Sequence, residues 1–243
     1  MIVRADRLRQ HLESWVGQWP PPAEGITVVG DPTRLLPTWD GSVRPLLGVG
    51  NGTGTVIAVP PEFVEAVTAM LAEGLECEGV GNELGALLGV GPARLGTGVF
   101  RSTISIDGSL VDSGSGSGSG SDTGSGSDTG EWHETQTDGL PEWLAPFNGP
   151  RLVARDETGA VIASVGIKVH DAVGQELAVV TEEAARGRGL ARRLVATAAR
   201  RVLDEGCIPT YLHQPSNIGS ARVAEAVGFR DRGWKVHGLW PSS

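Results

Sequence analysis

The residues best suited to chemistry lie between 176 and 191, in the run ELAVVTEEAARGRGLA. The run reads as a short apolar strand, a glycine-rich turn and the opening of an Arg-rich helix. A strand that feeds such a turn at a helix N-terminus aims several backbone N–H groups at one point. The helix dipole adds positive character there. Gly187 and Gly189 let backbone approach an anion with no Cβ in the way. The chemistry this pattern suits is the holding of a phosphate or diphosphate.

The elements that must position this turn follow from the rest of the chain. After 113–130, Leu140, Pro141, Trp143 and Phe147 mark a surface segment, and 151–155 reads as a strand. Asp156-Glu157-Thr158-Gly159 is a turn. Strands are expected at 161–170 and 176–181, so a meander leads into the glycine turn. The helix over 190–203 carries Leu194, Val195, Ala198, Val202 and Leu203 on one face and Arg192, Arg193, Arg200 and Arg201 on the other. Gly206 ends it. A strand follows at 208–212. Asn217 then precedes a helix that ends at Gly228-Phe229, and the last strands lie within 230–240.

The N-terminal part is less informative. The spacing of Leu8, Leu12, Trp15 and Val16 predicts a helix over 6–16, with Asp6 as a cap. Segments 43–50 and 55–59 flank Asn51-Gly52-Thr53-Gly54 and predict a hairpin. Pro60-Pro61 opens a helix through 73, and Asn82 caps a shorter one over 83–88. A strand is expected at 98–107. Glu62, Glu65, Glu76 and Glu83 read as solvated carboxylates.

Composition narrows the function classes. The chain has 243 residues and a net charge of −9, which argues against a broad nucleic-acid surface. Lys168 and Lys235 are the lysines among many arginines, a bias that suggests a GC-rich bacterial genome. Cys77 and Cys207 lie in unrelated contexts and read as free thiols of a cytoplasmic protein. The histidines have no metal-ligand spacing, so no metal is expected. No apolar run reaches the roughly 20 residues of a membrane span, and the charged N-terminus has no signal-peptide pattern. The Gly/Ser tract at 113–130 reads as a flexible linker or loop. The expected domains are therefore 1–112 and 131–243 on either side of it.

Taken together, the strand, Arg186-Gly187-Arg188-Gly189-Leu190-Ala191, the long helix, Asn217, Ser220 and Gly228-Phe229 resemble the GCN-related N-acetyltransferase (GNAT) superfamily, whose acetyl-CoA signature is Arg/Gln-x-x-Gly-x-Gly/Ala. The resemblance covers about 151–234. It is similar to a bacterial subgroup in which the acetyltransferase half follows a divergent N-terminal half. It implies an α/β (α+β) fold, a mixed and mostly antiparallel sheet flanked by helices, with a smaller N-terminal α/β region. It also implies acetyl-CoA as cosubstrate and a small-molecule or protein amine as acceptor, with no nucleic acid or membrane partner, in a monomer or homodimer.

By that resemblance the strand before the turn parts from its neighbour, and the pantetheine arm lies in the gap. Val179, Val180 and Thr181 would line the arm, with Val179 or Val180 supplying an N–H to the thioester carbonyl. Residues 186–191 would hold the diphosphate, and Asn217 and Ser220 would contact CoA, although Asn217 is equally an N-cap. Glu176 would take the proton from the acceptor ammonium, against the alternative of an exposed strand-end carboxylate. The Tyr that many members use as acid is replaced by Ala224. His213, Tyr211 and Ser220 are the remaining candidates, unless the thiolate leaves unassisted. Arg192 and Arg193 could reach a 3′-phosphate or simply face solvent.

Two other classes stay open. The missing Tyr and the long tract suit a non-catalytic acyl-CoA-binding or sensor module. A different nucleotide-binding domain is disfavoured, because the turn lacks the Gly-Lys-Ser/Thr of a P-loop.

Overall fold

The computed structural model describes residues 2–75, 79–106 and 130–241. The linker expectation at 113–130 falls outside them, apart from Gly130, as do Glu76 and Cys77. In chain order the elements are α1 (Ile2–Val16), β1 (Gly25–Gly30), β2 (Leu47–Gly50), β3 (Gly54–Val59), α2 (Val64–Met70), α3 (Val80–Leu87), β4 (Ala93–Ser102), β5 (Glu131–His133), β6 (Arg151–Arg155), β7 (Val161–Val169), β8 (Gly174–Thr181), α4 (Leu190–Asp204), β9 (Ile208–His213), α5 (Ile218–Val227) and β10 (Lys235–Pro241). The class is mixed α/β with mostly antiparallel strands. Among the described residues no helix is long and apolar enough to cross a membrane.

The chain folds into two compact units, and they are not the contiguous halves expected from the sequence. One comprises Met1–Arg101, Leu212–Asn217 and Asp231–Ser243; the other comprises Ser102–Tyr211 and Ile218–Arg230. The physical reason is β10. It pairs antiparallel with β2 on one side and with β4 on the other, so the C-terminal strand completes the N-terminal unit.

In that first unit the strands run β1-β3-β2-β10-β4. The β2–β3 hairpin forms as expected, its turn closed by Asn51 Oδ1, which accepts from the N–H groups of Thr53 and Gly54 at 3.1 Å. Leu8, Leu12, Trp15 and Val16 are the buried stripe of α1. A core of Leu46, Ile57, Val59, Val67, Leu71 and Leu84 lies under α2 and α3. Some expectations moved. The helix after Pro60 starts as a 3-10 turn and closes at Met70. Asn82 lies inside α3, and its Oδ1 accepts from Ala93 N–H at 3.2 Å instead of capping. The strand expected at 98–107 runs earlier, as β4, and 230–240 gives one strand rather than several.

In the second unit the strands run β9-β8-β7-β6-β5, antiparallel except for the β8–β9 pair. Strand alternation sends Leu152, Val165, Ile167, Leu177 and Tyr211 to one face. There they meet Leu194, Val195, Ala198 and Val202 of α4, with Ala224 and Val227 of α5. The opposite face is covered by the segment before β6. Phe147 packs so closely on Gly166 that a Cβ there would meet its ring at 2.5 Å. Buried Arg151 ties this segment down, donating to the carbonyls of Gly149 at 2.7 Å, Leu144 at 3.4 Å and Phe147. The meander and the Arg-rich helix are thus where the sequence placed them, and they present the glycine turn at the end of β8.

Candidate functional site

The turn between β8 and α4 has the geometry its glycines suggested. Gly187 and Gly189 adopt φ of +77° and +76°, the left-handed region open to glycine. A Cβ on Gly187 would meet nothing within 4 Å, so this backbone borders open space. Gly189 occupies the N-cap position with no side-chain cap. The first helical bond runs from Arg193 N–H to the Gly189 carbonyl at 3.1 Å. The backbone N–H groups of 187–192 have no acceptor among the described residues. Orphan donors gathered at a helix N-terminus are suited to an anion.

Three arginine side chains brace this backbone. Arg186 Nε donates to the Thr181 carbonyl at 3.3 Å, Arg188 Nη2 to the Ala184 carbonyl at 3.1 Å, and Arg193 Nη1 to the Arg188 carbonyl at 3.1 Å. Arg192 is exposed and donates to no acceptor among the described residues.

Strand β8 has two unlike halves. Its first half pairs on both sides: with β7, and in parallel with β9 from Gly174–Ile208 to Leu177–Tyr211. The parallel pairing stops there, while β7 continues to pair through Thr181. Exposure follows the pairing. Gly174 to Leu177 are buried, whereas Val180 is 41% exposed. Successive strand N–H groups point to opposite edges, so one of Val179 and Val180 turns its N–H away from β7. Thr181 Oγ1 is buried with no hydrogen-bond partner among the described residues, which leaves a polar atom in need of one.

Glu176 belongs to the fully paired half and is 3% exposed. Its carboxylate accepts from Lys168 Nζ and lies 3.1 Å from His170 Nε2. Burial pushes the carboxyl pKa up, but Lys168 and His170 outweigh it and bring it down to about 2. The exposed strand-end reading is therefore wrong, and unassisted proton abstraction is disfavoured by the same geometry. Lys168 and His170 were not singled out from the sequence. The signal was present: 168 and 170 alternate onto one face, and the tight turn at Asp171 sets 168 opposite 176.

The other candidates are placed as follows. His213 is buried; its Nε2 accepts from Arg101 Nε at 3.0 Å, and its Nδ1–H donates to the Gln214 carbonyl at 2.9 Å. Those partners select a neutral ring with no proton on Nε2, which speaks against an acid role. Arg101 in turn reaches Asp231 at 3.2 Å, a cluster whose members lie too far apart in sequence to be read together. Tyr211 and Ser220 hydrogen-bond each other, hydroxyl to hydroxyl at 2.9 Å. Asn217 directly precedes α5, and its N–H donates to the Gln214 carbonyl at 2.9 Å.

These residues fit acetyl-CoA on the structure's own terms. The unpartnered N–H groups of 187–192 and the open space at Gly187 suit a diphosphate, and Thr181 Oγ1 with the unpaired edge of β8 suits an amide-bearing arm.

Comparison with known proteins bears on the same region. Residues 123–229 match the family model described as Acetyltransferase (GNAT) family. No curated protein matches the sequence significantly. Among solved structures, a protein assigned to the GNAT-family acetyltransferases of Novosphingobium aromaticivorans is 23% identical, with 62% of this chain and 66% of that chain covered and a TM-score of 0.43. A GCN5-related N-acetyltransferase-like protein from Streptococcus suis is 16% identical, with 76% and 71% covered and a TM-score of 0.45. A Salmonella typhimurium protein, described as an acetyltransferase with its cofactor acetyl-CoA, is 18% identical, with 38% and 64% covered and a TM-score of 0.30.

Proposed function

We propose that this chain, whose residues 123–229 match the acetyltransferase (GNAT) family model, transfers the acetyl group of acetyl-CoA to a primary amine. The observation that carries the reading is the fan of unpartnered N–H groups at 187–192, set at the end of a strand whose outer half has no parallel partner. Acetyl-CoA supplies an acyl carbon already bonded to a good leaving group. The backbone of 186–191 holds the diphosphate, and the outward N–H of Val179 or Val180 meets the thioester carbonyl oxygen. As the amine nitrogen attacks, that N–H stabilises the oxyanion. The carbon–sulfur bond then breaks with its electron pair on sulfur, and a thiolate of pKa about 8.5 needs no acid to leave near neutral pH.

The role of Glu176 changes from the sequence expectation. A carboxylate of pKa about 2 would take a proton from an alkylammonium of pKa about 10.4 only at a cost of roughly 11 kcal/mol. We assign Glu176 instead as the counter-ion that fixes Lys168 and His170 on the face away from α4. The amine reacts in its neutral form, its surplus proton passing to water. His213 is assigned a structural role beside Arg101.

Transfer of labelled acetyl from acetyl-CoA to a panel of amines tests the reading. Turnover that disappears in Gly189→Glu supports it. Absence of both binding and turnover with every amine removes it. The locked state of Glu176 favours one second reading, a non-catalytic acyl-CoA-binding module. Tight binding without turnover would select that module.

A further inference from the structure

Arg193 makes two hydrogen bonds to the same short piece of backbone. Its main-chain N–H donates to the Gly189 carbonyl, and its Nη1 donates to the Arg188 carbonyl, each at 3.1 Å. Those carbonyls belong to the peptide planes on either side of the Gly189 Cα. A trans peptide is planar, with its N–H opposed to its C=O. Fixing the two carbonyls therefore fixes the directions of the Gly189 and Leu190 N–H groups, neither of which has an acceptor among the described residues.

We propose that Arg193 is a positioning residue that aims the Gly189 and Leu190 N–H groups at the ligand and does not itself bind phosphate. The proposal rests on reading the turn as the diphosphate site of acetyl-CoA. It gives Gly189 a second reason to be glycine: a Cβ there would stand 3.2 Å from Arg193 Nη1. It also separates Arg193 from its neighbour. The Arg193 guanidinium is engaged with the loop, whereas Arg192 is exposed and donates to no acceptor among the described residues. An anion site built from backbone donors is strong when those donors are fixed before the ligand arrives.

Two measurements on the full chain test this, one without ligand. Residual dipolar couplings of the Gly189 and Leu190 N–H vectors are compared in the wild type, Arg193→Ala and Arg193→Lys. The Gly189 coupling should fall towards zero in Arg193→Ala and recover in part in Arg193→Lys, while that of Leu190, held through the retained main-chain bond from Arg193, and those of the later turns of α4 stay put. An unchanged Gly189 coupling in Arg193→Ala overturns the proposal. Titration calorimetry then compares acetyl-CoA with acetyl-3′-dephospho-CoA. Arg193→Ala should weaken both by the same factor, about tenfold. A loss confined to the ligand bearing the 3′-phosphate, or no loss with either, overturns it as well. A wild-type chain that binds neither ligand would remove the diphosphate reading, and the ligand-free couplings would still decide what Arg193 does.

Discussion

Replacing Lys168 by Met tests the buried charge cluster most sharply. Glu176 is held ionised in a buried position, its pKa moved from 4.5 to about 2 by Lys168 and His170 against the opposing effect of burial. At 1.36 kcal/mol per pH unit, that displacement corresponds to about 3 kcal/mol. Since the folded pKa is depressed, this stabilisation is complete above pH 4.5 and is lost as pH falls from 4.5 towards 2. Lys168→Met leaves the carboxylate with His170 alone, 3.1 Å away. Breaking a buried pair from one side costs about 3–5 kcal/mol, so Lys168→Met should lose at least about 3 kcal/mol at neutral pH. With burial now dominant, the Glu176 pKa rises, and the deficit should shrink as acid protonates Glu176. Lys168→Met/Glu176→Gln removes both charges and should recover part of the loss. Urea unfolding at about pH 7 and pH 5, with unchanged m-values, reads all of this. A Lys168→Met chain within about 0.5 kcal/mol of wild type at neutral pH would show that the cluster does not carry the energy assigned to it.

Three further outcomes follow from named contacts. Gly189→Ala forces a Cβ into a φ of +76° and against Arg193; stability should fall by about 1–2 kcal/mol, and calorimetry should show acetyl-CoA affinity falling with it. His213→Ala leaves buried Arg101 Nε without its acceptor, so thermal unfolding should show a loss of about 2 kcal/mol. Under the structural assignment of His213, the pH profile of any remaining turnover keeps its shape. His237 is buried, and burial, assisted by the charge of Lys235, lowers its pKa from 6.5 to about 4. Its neutral form is the one folding favours, so its contribution is present above pH 6.5 and is lost as pH falls from 6.5 to 4. His237→Gln should flatten the stability-versus-pH curve in that window.

The second unit was legible because its signals are local. Period-2 apolar residues, the turn at Asp156, the one-sided apolar stripe of α4 and the paired glycines each fix a piece of backbone through neighbouring residues. What escaped is long-range. β10 inserts between β2 and β4, residues well over a hundred positions away, and nothing local at 235–241 names those partners. β1 and β5 were not anticipated; β5 has only three residues, too few for a period to show. The site divides in the same way. The N–H fan could be inferred from glycine spacing alone, whereas the ionic state of Glu176 depends on the β7–β8 register, which brings Lys168 across from it.

The measurement closest to the central claim is a titration of the isotope-labelled chain with acetyl-CoA, followed at each backbone amide. In one saturable process the amides of 187–192 and of 178–181 should move together, with the largest changes in the glycine turn. Saturable binding that leaves those amides unmoved, or no binding at millimolar acetyl-CoA, would contradict it.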